Sequence, residues 1–295
     1  MRIIEYLKLI RVYQWYKNLL IFLPLIFVGS LFHIGMLEET AIGFIALCLI
    51  SSSNYVLNDI IDVHKDRAHP EKKNRPLASG KITSAEAILI FIIVFFLSLY
   101  IAYSINLAFM VIVLLLFVLT LVYSLWLKNE PILDVIMIAI FFVLRSVSGA
   151  FIIKVFISPW IILCPFFLAI FLAVGKREAD LRFMKDKAHA HKEVLKYYTL
   201  ELTNILMIIS TTCLIIAYSL YVVSRNTFLL ISLPFAIYVI LRFYYLVNTG
   251  SEIARHPEKV YKDWRMLLFI IGWIAIVVLV LYTADKNHIA GLLVR

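Results

Sequence analysis

Residues 58–81, NDIIDVHKDRAHPEKKNRPLASGK, hold four acidic and six basic side chains within 24 positions. Asp59, Asp62 and Asp66 are three and four residues apart, so a helix continuing through them would place all three carboxylates on one face. Asn58, four residues before Asp62, shares that face. Carboxylate and amide oxygens at one helix end suit Mg²⁺, which usually binds one or two carboxylates together with substrate phosphates. We therefore predict a Mg²⁺ site formed by these four residues.

Basic residues follow the acidic ones directly. Pro70 and Pro76 are expected to break the helix and turn the basic run back over the acids. Lys73 and Arg75 would then be placed to neutralise phosphate groups, and a guanidinium can contact a phosphate through two hydrogen bonds. The alternative is a solvated loop whose charges only pair with one another.

The elements that must position these residues are membrane helices. The chain of 295 residues is 63% hydrophobic, with a mean hydropathy of +0.95, well above a soluble domain. Apolar runs of roughly 20 residues, enough to cross a bilayer, predict an all-α bundle of nine transmembrane helices in one polytopic membrane domain, residues 1–295. The runs lie near 19–36, 41–60, 84–104, 107–126, 132–153, 157–175, 199–222, 227–247 and 265–283.

The net charge of +9 is distributed in the way expected of a membrane protein. With nine spans, 22 of the 28 Lys and Arg residues fall on one side of the membrane, four fall on the other, and two lie inside spans. The excess of positive charge marks the cytoplasmic side. The sequence thus predicts a cell-membrane protein with a cytoplasmic N-terminus, cytoplasmic large loops and an external C-terminus, and no nucleic acid partner.

The two large loops each follow an even-numbered span and mix acidic with basic residues. This pattern suggests an internal duplication, with halves near 1–130 and 131–295, a common plan in membrane proteins.

Further candidates for substrate binding lie outside the acidic stretch. In RVYQWYKN, residues 11–18, Lys17 and Asn18 either face the site or belong to an interfacial anchor. Arg145 lies well inside the fifth predicted span, where a charge normally faces a polar cavity or a partner. Tyr123 and Lys128 flank a short turn and also fit an interfacial position.

Four more candidates lie in the later loops. Asp263, at the start of the last span, either closes the site or caps a helix. Lys176, Arg177 and Glu178 belong to GKREADL, residues 175–181, directly after an apolar span.

Several segments resemble the UbiA prenyltransferase superfamily over essentially the whole chain. NDIIDVHKD (58–66) is similar to that family's first aspartate-rich motif, and KKNRPLASGKI (72–82) to its continuation. Five further segments resemble the decaprenyl-phosphate phosphoribosyltransferase branch of this family. They are RVYQWYKNLLIFLPLIF, YSLWLKNEPILD, FVLRSVSGA, AVGKREADL and HPEKVYKD. The resemblance implies a bundle of nine transmembrane helices with a site open to the cytoplasm.

The resemblance also implies a reaction. A Mg²⁺-dependent transferase would move 5-phosphoribose from phosphoribosyl pyrophosphate to a polyprenyl phosphate lipid, with Asp59, Asp62 and Arg177 in catalytic roles. The chain departs from prenyl-transferring members at GKREADL. Lys176 and Arg177 stand where a second set of metal-binding acids is expected, which suits a bulky phosphorylated donor and an anionic acceptor. Glu178 is a further substrate-binding candidate there.

Three other functions remain open from the sequence. One is transfer of a polyprenyl chain from its diphosphate to an aromatic ring or to glycerol phosphate. Another is non-enzymatic transport of lipid phosphates or ions, and the last is a purely structural role in the membrane. A cluster of acids on one face favours an enzyme, since neither a gate nor a scaffold needs a metal-binding face. The oligomeric state is not predicted.

Overall fold

The computed structural model describes residues 2–68, 72–184 and 193–292, without the side chains of 184 and 284–292. Within these residues all regular structure is helical. In the part of the chain that the structure describes, eight helices are long and apolar enough to cross a membrane. They are Ile34–Ile61, Ser84–Ile105, Leu107–Leu125, Leu133–Ile152, Pro159–Phe183, Leu200–Arg225, Thr227–Asn248 and Trp264–Thr283. The predicted class, an all-α membrane bundle, is confirmed.

The first predicted span, residues 19–36, has a different form. Here a 3-10 helix, Val12–Phe22, leads into a five-residue α-helix, Leu23–Phe27, after a short N-terminal helix, Arg2–Leu9. At about 2.0 Å per residue in a 3-10 helix and 1.5 Å in an α-helix, residues 12–27 cover about 30 Å, the thickness of the hydrocarbon core. A ninth crossing therefore does not require a ninth long helix, and the count of nine is approximate.

Shorter helical elements lie between or next to several of the long helices in the sequence. Val63–Ala68 and the 3-10 turn Lys72–Asn74 follow the first long helix. The remaining short elements are 3-10 turns at Leu127–Asn129, Glu193–Tyr197, Thr227–Ser232 and Pro257–Lys262, and the helix Glu252–Arg255.

The chain divides into two compact units. Unit 1 comprises Met1–Trp126 and Leu144–Ile157, and unit 2 comprises Leu127–Val143 and Ser158–Arg295. The predicted duplication is a statement about the sequences of the halves and stays a prediction.

In unit 1, helix Ile34–Ile61 packs along helix Ser84–Ile105, and the Ser98 hydroxyl donates to the Ala46 carbonyl at 2.8 Å. Leu9, Val56 and Leu77 form part of a buried cluster beneath the acidic stretch.

In contrast, helix Ser84–Ile105 leaves apolar side chains exposed along its length. Leu89, Ile93, Phe96 and Tyr100 are 53–70% exposed. Such a surface is stable against lipid and costly in water.

In unit 2, helix Pro159–Met184 packs along helix Leu200–Arg225. Phe171, Met207 and Phe243 are fully enclosed and belong to one large buried cluster. This core fixes the end of helix Pro159–Met184 that carries the GKREADL residues.

Candidate functional site

Asp59 and Asp66, which we call the acid pair, lie close together in unit 1. One nitrogen, Arg75 Nη1, lies 3.0 Å from Asp59 Oδ1 and 2.6 Å from Asp66 Oδ2. Both carboxylates are almost enclosed, each 3% exposed, while Arg75 is half-buried. The prediction that the basic run turns back over the acids is confirmed for Arg75. Pro70, one of the two prolines expected to cause this turn, lies outside the described residues.

The helix does not continue unbroken through the acids. Helix Ile34–Ile61 ends before Asp62, and the short helix Val63–Ala68 begins after it. Backbone hydrogen bonds from the Asp62 amide to the Asn58 carbonyl and from the Asp66 amide to the Asp62 carbonyl keep helical spacing across this break. The break therefore does not carry Asp66 away from Asp59. Asn58 and Asp62 are both half-buried at this helix end.

The donor set is suited to a hard cation. No three His, Cys, Asp or Glu side chains are grouped for metal binding in residues 2–68, 72–184 and 193–292. Two carboxylates do converge on one positively charged nitrogen, and this nitrogen stands in for a cation between them. One or two carboxylates, completed by substrate phosphates, is the usual protein contribution to a Mg²⁺ site. The acid pair therefore fits Mg²⁺ in charge and in ligand type.

Arg11 is a site residue that the sequence analysis missed. Its Nη2 donates to Asp59 Oδ1 at 2.6 Å, and its guanidinium lies 4.6 Å from the centre of the Tyr55 ring. The backbone at Arg11 is left-handed, with φ 51° and ψ 50°, which few residues other than glycine adopt. The bend lies between the N-terminal helix Arg2–Leu9 and the 3-10 helix Val12–Phe22. The arginine in RVYQWYKN was available as a signal, but nothing in the spacing connected it to Asp59, 48 residues away.

The 3-10 helix Val12–Phe22 positions a second polar group in unit 1. Asn18 is 1% exposed, and its Oδ1 accepts a hydrogen bond from Arg145 Nε at 2.8 Å. Ser51 donates to the same oxygen at 3.4 Å, and Asn18 Nδ2 donates to Cys48 Sγ at 3.4 Å. The structure thus brings together two predicted substrate-binding residues, Asn18 and Arg145, which lie 127 positions apart.

Lys17 lies on a different face of this 3-10 helix. Its Nζ donates to Gln14 Oε1 at 3.0 Å, and the Tyr55 hydroxyl donates to the same oxygen at 2.8 Å. Tyr55 is also the ring beneath Arg11, so Lys17 is connected to the acid pair through Gln14 and Tyr55. Lys73, another predicted phosphate contact, is exposed in the 3-10 turn Lys72–Asn74.

Unit 2 contains a second cluster, built around Asp134. Arg177 donates to Asp134 Oδ2 from Nε at 3.0 Å and from Nη2 at 2.8 Å. Arg177 is 2% exposed and Asp134 is fully buried. The Tyr198 hydroxyl donates to Asp134 Oδ1 at 2.6 Å and accepts from the Ile132 amide at 2.8 Å. Burial, together with the Asp134 carboxylate, raises the pKa of the Tyr198 phenol above its ordinary value.

The guanidinium of Arg177 is hydrogen-bonded to Asp134 within the protein. Contact between Arg177 and a donor phosphate therefore stays a prediction. Lys176, the preceding residue, is exposed and available to a soluble or membrane-bound anion. Ile132 has a left-handed φ of 67°, which a β-branched residue rarely adopts, and the Tyr198 hydrogen bond holds it there.

Glu178 is fully buried one turn before Arg182. Its Oε1 accepts from Arg182 Nε at 3.0 Å and Nη2 at 2.7 Å, and Arg182 also donates to Asn248 at 3.0 Å. Arg255 donates to Asp180 at 3.0 Å nearby. Glu178 and Asp180 thus each accept hydrogen bonds from an arginine in this structure. Substrate binding by Glu178 remains a prediction.

Asp263 caps the last long helix, one of the two roles considered for it. Its Oδ1 accepts from the Met266 amide at 3.0 Å, while Oδ2 accepts from Arg242 Nε at 3.0 Å. Burial acts to raise the pKa of Asp263, but the Met266 amide and the Arg242 guanidinium outweigh it and hold the pKa below its usual value. The carboxylate is thus charged and engaged. Whether it also closes a substrate site stays a prediction.

The other two candidates lie near the boundary between helices in the sequence. Tyr123 is half-buried near the end of helix Leu107–Leu125, and Lys128 is half-buried in the 3-10 turn Leu127–Asn129. Neither position decides between an interfacial and a substrate-binding role.

Comparison with known proteins covers most of the chain. The model of the UbiA prenyltransferase family matches residues 20–260. Decaprenyl-phosphate phosphoribosyltransferase of Mycolicibacterium smegmatis is 28% identical, over 94% of this chain and 92% of that protein. The protein of the same name from Mycobacterium tuberculosis is 29% identical over 92% of each chain. Among solved structures, a UbiA homologue from Archaeoglobus fulgidus bound to GPP and Mg²⁺ superposes with a TM-score of 0.69, at 23% identity, covering 92% of this chain and 99% of that one.

Proposed function

Because this chain belongs to the UbiA prenyltransferase family, a family of membrane transferases, we propose that it moves 5-phosphoribose from phosphoribosyl pyrophosphate to a polyprenyl monophosphate, releasing pyrophosphate. Two curated relatives that match it over more than nine-tenths of their length carry the name of that activity. The observation that carries the proposal in the site itself is the acid pair, in which two buried carboxylates share one cationic nitrogen.

The leaving group determines what this site must do. Pyrophosphate departs with several negative charges, and catalysis consists largely of positioning and of stabilising that charge. Asp59 and Asp66, with Asn58 and Asp62 at the same helix end, would hold a Mg²⁺ ion whose contribution is to neutralise the departing pyrophosphate. Arg75 and Lys73 supply positive charge from the protein beside these acids, and Lys176 and Arg177 are proposed to do the same for other phosphates.

The reaction proceeds by substitution at C1 of the ribose. The bond from C1 to the pyrophosphate oxygen breaks, and its electron pair leaves with pyrophosphate. A phosphate oxygen of the lipid attacks the opposite face of C1, so the anomeric configuration is inverted. A phosphate monoester is already largely ionised near pH 7, so the protein need not supply a general base. Lys17, Asn18 and Arg145 are the residues proposed to hold the lipid phosphate.

The cytoplasmic side is the proposed location of this chemistry. The excess of Lys and Arg in the loops that contain the acidic stretch and GKREADL supports it. The donor is a soluble sugar phosphate, whereas the acceptor is a lipid, and a site at the membrane surface gives both access.

The proposal is tested with purified protein, radiolabelled phosphoribosyl pyrophosphate and a long-chain polyprenyl phosphate, with label followed into the organic phase. We expect Mg²⁺-dependent transfer that EDTA abolishes. Asp59→Asn is expected to reduce turnover by on the order of 10²-fold, because removing one stabilising group from such a site typically has that effect. Arg67→Ala, which changes an exposed residue of the short helix Val63–Ala68 next to Asp66, is the matched control and should stay near wild type.

Two outcomes would contradict the proposal. Transfer of a prenyl chain from a prenyl diphosphate to an aromatic or glycerol phosphate acceptor, without phosphoribosyl transfer, would assign the chain to the prenyl-transferring members. Full activity of Asp59→Asn would remove the metal assignment.

A further inference from the structure

We propose that Arg11 and Arg75 are exchangeable counter-ions of the acid pair, which leave the carboxylates for phosphate oxygens when a divalent cation binds. The cation and the pyrophosphate group would then each favour binding of the other. This inference rests on the proposed function only in taking a diphosphate as the anion.

The contacts place the arginines in competition with a cation. Arg11 Nη2 and Arg75 Nη1 both donate to the same atom, Asp59 Oδ1, at 2.6 and 3.0 Å. Arg75 Nη1 also reaches Asp66 Oδ2 at 2.6 Å. A cation held by both carboxylates would compete with the two guanidinium groups for the negative charge of the acids. It therefore has to displace positive charge that is already in contact with them.

The charges show why an anion is required for this displacement. Two carboxylates and two guanidinium groups balance, and both carboxylates are 3% exposed. A divalent cation bound to the acid pair would leave two partly buried arginines, 16% and 30% exposed, without their acids, which is unfavourable. Pyrophosphate supplies new acceptors for both. The planar guanidinium is well suited to this exchange, since it contacts carboxylate and phosphate in the same two-bond geometry.

Arg11 is also held in a way that favours release. Its backbone occupies the left-handed region, with φ 51°, at the junction between helix Arg2–Leu9 and the 3-10 helix. Such a conformation is unfavourable for a residue with a side chain and persists where surrounding contacts impose it. The Arg11 amide donates to the Lys8 carbonyl at 3.2 Å, and the Gln14 amide donates to the Arg11 carbonyl at 2.8 Å. The side chain is held by the Asp59 ion pair and by the Tyr55 ring. If Asp59 binds a cation instead, one of these two side-chain contacts is lost.

The exchange predicts effects of opposite sign in a single variant. In Arg11→Ala a competitor for Asp59 is gone, so Mn²⁺ alone should bind more tightly than to wild type. The same variant has lost a phosphate contact, so pyrophosphate should bind more weakly at saturating Mn²⁺. Coupling between two ligands typically amounts to 5- to 150-fold, and we expect each change to lie in the lower part of that range, about 5- to 20-fold. Arg75→Ala should behave in the same way.

Binding of Mn²⁺ alone is measured from the loss of the free-ion paramagnetic resonance signal, and binding of radiolabelled inorganic pyrophosphate by equilibrium dialysis. Arg67→Ala is the matched control, since it removes one exposed arginine from the neighbouring short helix, and both affinities should match wild type. Arg11→Lys keeps a positive charge and should restore pyrophosphate binding in part. If Arg11→Ala does not fold, Arg11→Gln removes the charge while retaining a hydrogen-bonding side chain.

Weaker Mn²⁺ binding in the Arg11 variants, or unchanged affinity for both ligands, would overturn the exchange. Neither assay contains phosphoribose or lipid. Opposite shifts of the two affinities, found in a protein that fails to transfer phosphoribose, would therefore leave the exchange intact and contradict only the proposed function.

Discussion

The carboxylate of Asp134 is fully buried and depends on two side chains, Arg177 and Tyr198. Removing one member of a buried ion pair is costly because the other charge remains in a place that water cannot reach. We expect Arg177→Ala to lower the free energy of unfolding by about 3–5 kcal/mol. Thermal unfolding in detergent, followed by near-UV circular dichroism, measures the loss.

A double variant separates this structural role from the predicted phosphate contact. Arg177→Gln combined with Asp134→Asn leaves no unpaired charge and should recover most of the stability. If Arg177 also contacts the donor, the double variant keeps a raised KM for phosphoribosyl pyrophosphate. A wild-type melting temperature in Arg177→Ala would exclude the buried pair as a source of stability.

For single residues, the sequence predicted the positions of the acids better than the identity of their ion-pair partners. Spacing of three and four residues placed Asp59 and Asp66 near each other, and the structure brings them within reach of one nitrogen. The partner Arg11 could not be predicted in this way. Its approach depends on a left-handed backbone and on the path of a 3-10 helix, and residue types report neither. Arg177 had a recognisable charge, but its partner Asp134 is 43 residues away.

The 3-10 helix Val12–Phe22 is an element whose form and start the search for apolar runs did not predict. Its three-residue repeat explains the exposure along it, since residues three apart lie on one face. Tyr13, Tyr16 and Leu19 are 44–68% exposed, whereas Asn18 and Ile21 are buried. A window tuned to the 3.6-residue period of an α-helix merges these faces. The sequence therefore predicted an apolar segment here, but not its form.

Gly149 allows this element to approach helix Leu133–Ile152. A Cβ atom at Gly149 would lie 1.9 Å from the Ile21 carbonyl oxygen, a backbone atom that cannot rotate away. We expect Gly149→Ala to destabilise the protein by at least the ~1–3 kcal/mol typical of overpacking. Gly35→Ala is the control, because the nearest atoms to its Cβ lie 3.7 Å away in the His33 side chain. Equal melting temperatures for the two variants would contradict the close approach.

The cap of helix Trp264–Leu292 provides a prediction about pH. The pKa of Asp263 is lowered on folding, so its contribution to stability is complete above the ordinary aspartate value, about 3.8, and is lost as the pH falls through the lowered one. Below about pH 3.8, the melting temperature of wild type should fall more steeply with falling pH than that of Asp263→Asn, which cannot titrate there. Parallel profiles would show that Asp263 is not the titrating group.

For the whole molecule, the charge distribution predicts an orientation that the fold alone does not give. Ser79 and Ser104 are exposed in unit 1, Ser79 in the loop after the acids and Ser104 at the far end of helix Ser84–Ile105. In a chain whose three native cysteines are replaced, an impermeant thiol reagent should label Ser104→Cys in intact cells. Ser79→Cys should react only after the cells are permeabilised. The reverse pattern would overturn the orientation.

The membrane class and the approximate number of crossings followed from composition and from the lengths of the apolar runs. The division into two units could not be predicted in this way, because unit 1 includes Leu144–Ile157 from the middle of the chain. One continuous helix, Leu133–Ile152, contributes residues to both units. Hydropathy reports where a helix lies in the sequence, and it carries no information about which neighbours each half of that helix has.

The length of the 3-10 helix makes the thickness of the bilayer relevant to the acid pair. Eleven residues cover about 22 Å in this form and about 16 Å as an α-helix, a difference similar to that between thick and thin cell membranes. The residue before this helix is fixed to Asp59, and Ile21 near its other end is fixed against Gly149. The segment therefore cannot shorten without releasing one of these contacts. The acyl-chain length of the surrounding lipid is thereby expected to set how firmly Arg11 holds Asp59.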